Sequence, residues 1–358
     1  MRKMKNLLAL AAFGLPLICL LPACQSGGAE TGQSAEAEQP AEPIHERGED
    51  IKGGIMALDP GMSDVVDPDA VIEVLAGGFT WTEGPLWLED QQMLIFADIP
   101  PNKIYSWKEG QGVRVYLSPA GYTGDTPRGG EPGSNGMILD NEGRLVLCQH
   151  GDRRMARMDA PLSAPKPNFV TIADQYQGKK LNSPNDCIMN SKGQLFFTDP
   201  PYGLEKNMDD PAKELTFQGV YRVDPNGSLT LLTDQLSRPN GVALSPDEKT
   251  LYVANSDPEH AIWMAYGLDS NGAIASGTVF HDVTGMVGVG KGLPDGMKVR
   301  KDGVLFATGP GGVWVFNAAG KNLGRINTGQ ATANCALTPD GKMLYLCADD
   351  FLMRVALK

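Results

Sequence analysis

One hairpin pattern returns six times along the chain, and no other feature limits the fold as tightly. In its clearest copy, Pro239-Asn240-Gly241-Val242-Ala243-Leu244 reads as an apolar strand, Ser245-Pro246-Asp247-Glu248 turns the chain, and Leu251-Tyr252-Val253-Ala254-Asn255 returns as a second strand. Turn-forming residues between two apolar runs mark a β-hairpin. Each copy opens on one polar residue, ten or eleven positions ahead of the leucine of its return strand. The openers are Glu83, Asn135, Asn185, Asn240, Asp295 and Asn334, and successive ones lie 52, 50, 55, 55 and 39 residues apart. That period suits a blade of four strands. The expected fold is all-β, a six-bladed β-propeller over residues 66–358.

A propeller's innermost strands line its central channel, so equivalent openers should meet at one level around the axis. All six are oxygen-donor types and none is apolar. Converging carboxylates repel and buried amides need partners, so a cation among them is the expected solution. Taken singly, Asn-Gly and Asp-Gly read as turn residues; it is the register of six copies that argues otherwise. Fourteen or fifteen positions after each opener stand Asp98, His150, Asp199, Asn255, Gly309 and Asp349. These should form a rim on the same face, rich in hydrogen-bonding groups and poor in apolar wall. His150 reads either as a structural histidine or as a group for substrate or proton transfer. Two long insertions, residues 121–134 and 200–218, reach this face as pocket walls or lids.

The ends of the chain carry other signals. Residues 1–23 combine a basic start with an apolar run too short to span a bilayer, the layout of a secretory signal. The run closes on Leu21-Pro22-Ala23-Cys24, which resembles a bacterial lipobox and makes Cys24 the lipidation site. Gln25, where an aspartate would favour inner-membrane retention, points to the outer membrane, facing the periplasm. Residues 24–65 read as a flexible acidic tether, since positions 25–50 hold seven acidic side chains against the lone Arg47. The net charge of −12, with no basic stripe, disfavours nucleic acid as a partner. The anchor is the only expected membrane contact, and the body should be a monomer or weak homo-oligomer. Residues 71–76, an apolar run with no blade of its own, should supply the missing strand of the last blade and close the ring. Cys335 and Cys347 share one hairpin, and either a disulfide or two buried thiols suits them. The run from Gly285 to Gly292 nearly spells a phosphate loop, but it has Gly292 for the required Ser or Thr, followed by Pro294 where a helix should start.

Four ordered motifs carry a family resemblance: Thr82-Glu83-Gly84-Pro85; Ser183-Pro184-Asn185-Asp186 followed by Phe197-Thr198-Asp199-Pro200-Pro201-Tyr202-Gly203; Arg238-Pro239-Asn240-Gly241; and Pro294-Asp295-Gly296-Met297. Together they resemble the gluconolactonase and regucalcin family over essentially the whole body. Asn135-Gly136 with Cys148-Gln149-His150-Gly151 is similar to its bacterial gluconolactonase branch. The resemblance implies a hydrolase that opens sugar lactones around one divalent cation in the channel. Glu83, Asn240 and Asp295 would be metal ligands, and Asn185 a fourth ligand or a substrate contact. Asp295 would also be the catalytic acid/base, with Asp186 beside it as the alternative base. Asn135, His150, Asp199 and Tyr202 are the expected substrate contacts. An all-oxygen donor set favours Ca²⁺, with Mg²⁺, Mn²⁺ and Zn²⁺ as alternatives. Ser183 stands where regucalcins hold substrate with an arginine, so their substrate choice does not transfer. A phosphotriesterase-like hydrolase, as in the resembling diisopropyl-fluorophosphatases, and a non-catalytic ligand-binding or scaffold propeller with a structural cation are the competing readings.

Overall fold

The computed structural model describes residues 53–358. The signal segment, Cys24 and the tether up to residue 52 lie outside them. Among the described residues six antiparallel blade sheets follow one another along the chain, each built mainly from consecutive strands, with a two-stranded hairpin, Gln175–Tyr176 paired with Lys179–Lys180, between blades 2 and 3. Blade 1 runs from Thr82–Leu88 through Met93–Asp98 and Lys103–Lys108 to Gly112–Leu117. Blade 2 opens with Ser134–Leu139, blade 3 with Cys187–Met189, blade 4 with Pro239–Leu244, blade 5 with Met297–Val299 and blade 6 with Thr332–Leu337. The architecture is the expected six-bladed β-propeller.

Blade 6 supplies only three strands of its own. Glu73–Gly77 completes it by pairing with the last strand, Phe351–Ala356, so the ring is closed as its pattern foretold. Blade 5 holds a strand that composition did not reveal. Gly54–Ala57 adds to its outer edge, pairing with Asn322–Asn327. A 3₁₀ turn at Pro60–Asp64 follows, capped by Asp59, whose carboxylate accepts from the Gly61 amide at 3.0 Å. Behind it Met62, Val65 and Val66 are buried between blades 5 and 6. Residues 53–65 therefore pack on the body rather than serving as tether. Four strand residues outside the repeat are too few to show a period, which is why they escaped notice.

The apolar core is six separate clusters, one at each junction between neighbouring blades. Each blade is therefore buried on both faces and its inner strand is nearly all enclosed. The channel at the centre is left to polar groups. All four described cysteines are free and buried. Cys335 and Cys347 cannot bridge: they stand opposite Leu346 and Asn334, one step apart in register, so their side chains leave opposite faces of the sheet. One enters the junction of blades 5 and 6, the other that of blades 6 and 1.

Candidate active site

The openers reach the axis through two local devices. In blades 1, 2, 4 and 6 the pairing register slips beside the opener, between Glu83 and Leu86, Ser134 and Met137, Pro239 and Val242, and Thr332 and Asn334. A bulge of this kind re-aims a side chain at the rim of a sheet. The glycine after the opener is the second device. Gly84 has φ of 49°, and a Cβ there would stand 2.0 Å from the Asn135 carbonyl oxygen. A Cβ on Gly296 would meet the Asn334 side chain, also at 2.0 Å. The Asn-Gly and Asp-Gly pairs are thus points where one blade's backbone lies against the next opener, not turns.

Five of the six openers, Glu83, Asn135, Asn185, Asn240 and Asp295, line one open cavity of about 470 Å³. Tyr202 lines it too, from the second insertion. Asn334 does not, but its Nδ2 donates to Glu83 Oε2 at 3.1 Å. The amide nitrogens are tied back: Asn240 Nδ2 donates to Ser256 Oγ at 2.9 Å, and Asn185 Nδ2 meets His150 Nε2 at 3.5 Å. Among the described residues, Asn135 Oδ1 and Asp295 Oδ1 are enclosed with no hydrogen-bond partner. Burial, opposed by amide hydrogen bonds and reinforced by nearby carboxylates, pushes Glu83 up to about 7. Asp295 is held well above the ordinary range by burial, then by Glu83 and Asp186.

No three His, Cys, Asp or Glu side chains gather into a metal cluster among the described residues. The donor set here is of another kind, two carboxylates with amide oxygens. The unpartnered Asp295 Oδ1, the tied-back amide nitrogens of Asn185 and Asn240, and carboxylates short of compensating charge fit a hard divalent cation held by Glu83, Asn185, Asn240 and Asp295.

Several expected site residues lie elsewhere. Asp186 does not line the cavity; its oxygens accept from the Cys187 amide at 2.9 Å and the Val242 amide at 3.2 Å, tying blade 3 to blade 4. His150 is fully buried behind Asn185, with Nδ1 at 3.4 Å from Glu131 Oε2. Asp199 is fully buried and accepts from the Asn182 and Ser183 amides, both at 2.8 Å. Asp98 likewise takes the Thr80 and Trp81 amides, and Asn255 the Arg238 amide. Asp98, Asp199 and Asn255 thus hold the backbone that leads into their own blades' openers. The insertion at residues 121–134 does reach the cavity, through Glu131, and Trp81 and Ser256 join the lining. Sequence position marked the Glu131 loop but not this residue, because insertions have no repeat to align.

Burial pushes Asp199 up to about 7, against the pull of its two amides. Asp199→Ala leaves both amides buried without an acceptor and is expected to cost about 2–4 kcal/mol of stability. Thermal unfolding checks this; a native melting curve with a raised KM would return Asp199 to the substrate.

A propeller with acidic and amide oxygens converging under an open cavity defines the class, a channel-site β-propeller. The SMP-30/Gluconolactonase/LRE-like region matches residues 81–349. The chain is 39% identical to a gluconolactonase of Zymomonas mobilis subsp. mobilis over 316 residues, 86% of each protein. It superposes on a solved gluconolactonase from Xanthomonas campestris with a TM-score of 0.74 and 31% identity, covering 90% of this chain and 99% of that one. A calcium-binding regucalcin from Agrobacterium tumefaciens shares the fold, with a TM-score of 0.62 at 18% identity over 81% and 95% of the two chains. The chain belongs to the SMP-30/gluconolactonase family.

Proposed function

We propose that this chain is a lactone hydrolase that opens sugar lactones with the help of a divalent cation, Ca²⁺ by donor chemistry. The observation that carries the reading is the set of oxygens from Glu83, Asn185, Asn240 and Asp295 at an open cavity, in a chain so similar to a gluconolactonase. A cation there would supply Lewis-acid polarisation of the lactone carbonyl. The chain supplies the rest. Asp295, whose side chain lines the cavity, takes a proton from water as the water oxygen adds to the carbonyl carbon. The same proton passes to the ring oxygen as its bond to that carbon breaks. Asn334 holds Glu83, Ser256 holds Asn240 and His150 backs Asn185, so the ligand side chains need little reordering when substrate arrives.

Turnover of glucono-1,5-lactone, a phosphotriester and a long-chain acyl-homoserine lactone at saturating Ca²⁺ tests the reading. The sugar lactone should be hydrolysed; a phosphotriester preferred over every lactone would favour the phosphotriesterase alternative, and no turnover at all a binding propeller. We also propose that Cys24 is lipidated and tethers the body in the periplasm, at the outer membrane. Cys24→Ser should release the protein to the soluble periplasmic fraction with its specific activity unchanged. Retention in the membrane would remove the anchor from this account.

A further inference from the structure

The cavity wall is divided by sector around the propeller axis. One arc, from the insertion before blade 2 round to blade 4, presents Glu131, Asn135, Tyr202 and Ser256. The other runs from the blade 4 turn through blades 5 and 6 to the entry of blade 1, and presents Pro258, Val287, Leu293, Ala331, Ala333 and Trp81. On this second arc the Thr332 hydroxyl is already bonded to Thr328 Oγ1 at 2.7 Å. The openers Glu83 and Asp295 and the indole N–H of Trp81 apart, it offers a ligand carbon and backbone. On this side Asp98 and Asn255, expected from the sequence as rim groups, are turned into backbone clamps, and Asp349 is not among the residues that line the cavity.

The apolar arc is also built. The glycine-rich loop that carries Val287 and Leu293 bridges back on itself between Val287 and Gly290. Its Lys291 carbonyl accepts from the Gly311 amide at 2.8 Å, fixing the loop to blade 5. Gly290 lies so close to that turn that a Cβ would stand 2.5 Å from the Gly311 nitrogen. Val287 and Leu293 pack from there onto the cluster between blades 4 and 5. The cavity, at about 470 Å³, falls in the roughly 300–1,000 Å³ range of sites for drug-sized ligands, more than a bare lactone ring fills.

We propose that the preferred substrate is an amphipathic lactone, one whose apolar substituent lies along Trp81, Pro258, Val287, Leu293, Ala331 and Ala333 while its oxygens meet Asn135, Tyr202 and Glu131. The proposal rests on the lactone-hydrolase reading, keeps its reaction and site, and moves the preferred lactone from a bare sugar lactone to one that carries an apolar branch. A ring hydroxylated on every side would leave hydroxyls without partners against the apolar arc. An alkyl or aryl branch instead displaces water from that arc, a gain of about threefold to fourfold for each methylene buried.

The test is a series of δ-lactones, from unsubstituted δ-valerolactone through δ-hexalactone to δ-decalactone, with glucono-1,5-lactone alongside. At saturating Ca²⁺, kcat/KM should rise with branch length by about tenfold or more over the series, using part of the per-methylene gain. Val287→Asp and Leu293→Asp, each first shown to melt cooperatively, should lower the ratio of δ-decalactone to glucono-1,5-lactone activity by about tenfold, since a carboxylate beside the branch must stay hydrated. A flat or falling series in the unaltered protein overturns the proposal while leaving lactone hydrolysis standing. An unchanged ratio in folded variants overturns the placement of the branch. Hydrolysis of none of these lactones overturns the underlying lactone reading with it.

Discussion

Asp295→Asn is expected to lower lactone turnover by about 10²-fold or more, the range for losing general acid–base help. The substitution keeps the side chain's shape and one oxygen donor. It removes the basicity and one negative charge from a site where Asp295 Oδ1 has no other partner. Cation affinity should weaken only modestly, because Glu83 and the amide oxygens remain. Turnover measured with the cation and the lactone both saturating separates the two effects, and calorimetry of ion binding gives the second directly. Asn135→Ala, outside the ligand set, should cost less, and so should Asn334→Ala, which removes only the support under Glu83. Native turnover by Asp295→Asn would exclude it as the proton acceptor.

Chelation is the other large effect. EDTA should abolish turnover and leave the β-sheet circular dichroism intact, since the six apolar junctions hold the ring without the ion. Two carboxylates and a few amides should bind Ca²⁺ with a Kd of roughly 10⁻⁴ to 10⁻³ M, as extracellular modules do. Protons compete for the same oxygens. With no cation bound, Glu83 titrates at about 7 and Asp295 well above its ordinary range, both raised chiefly by burial. Ion binding should therefore release protons, and affinity should fall as pH drops below about 7. The sign for the ion-free fold is opposite. Carboxyls raised above their unfolded values lend relative stability at low pH and lose it as pH rises through their folded pKa. Thermal stabilisation by Ca²⁺ should thus be larger at pH 8 than at pH 5.5. Collapse of the sheet signal on chelation would show that the ion does structural work instead, and equal stabilisation at both pH values would show that Glu83 and Asp295 are not the groups that exchange protons for the ion.

The repeat made the ring and its openers readable in advance, because period and residue type survive without coordinates. Glu83, Asn135, Asn185, Asn240 and Asp295 meet at one cavity for that reason. Counting along a strand also put Asp98, Asp199 and Asn255 near the correct face, but it could not show which way their side chains turn. Each turns back to the amides entering its own blade, a demand set by buried N–H groups that no spacing reveals. Asp186 shares a dipeptide with Asn185 but not its cavity wall, and spacing could not show that its oxygens turn to the Cys187 and Val242 amides. Trp81 and Glu131 were missed for want of a pattern, one lying just before its strand and the other in an insertion.

The seam in blade 6 has a consequence for how the molecule is made. Its first strand partner and its last are nearly a full chain apart: Glu73 receives the Arg354 guanidinium at 2.8 Å across 281 positions. Contacts so distant in sequence form slowly, because a long loop must close before any bond rewards it. Blades 1 to 4 need only consecutive strands and can assemble from local contacts, whereas blade 6 must wait for Phe351–Ala356 to find Glu73–Gly77. Hydrogen-exchange labelling during refolding should find the amides of Phe351–Ala356 protected last; early protection there would reverse the order. Folding is thus expected to pass through an open ring, whose exposed edge is most vulnerable to aggregation and proteolysis in the interval before the two ends meet.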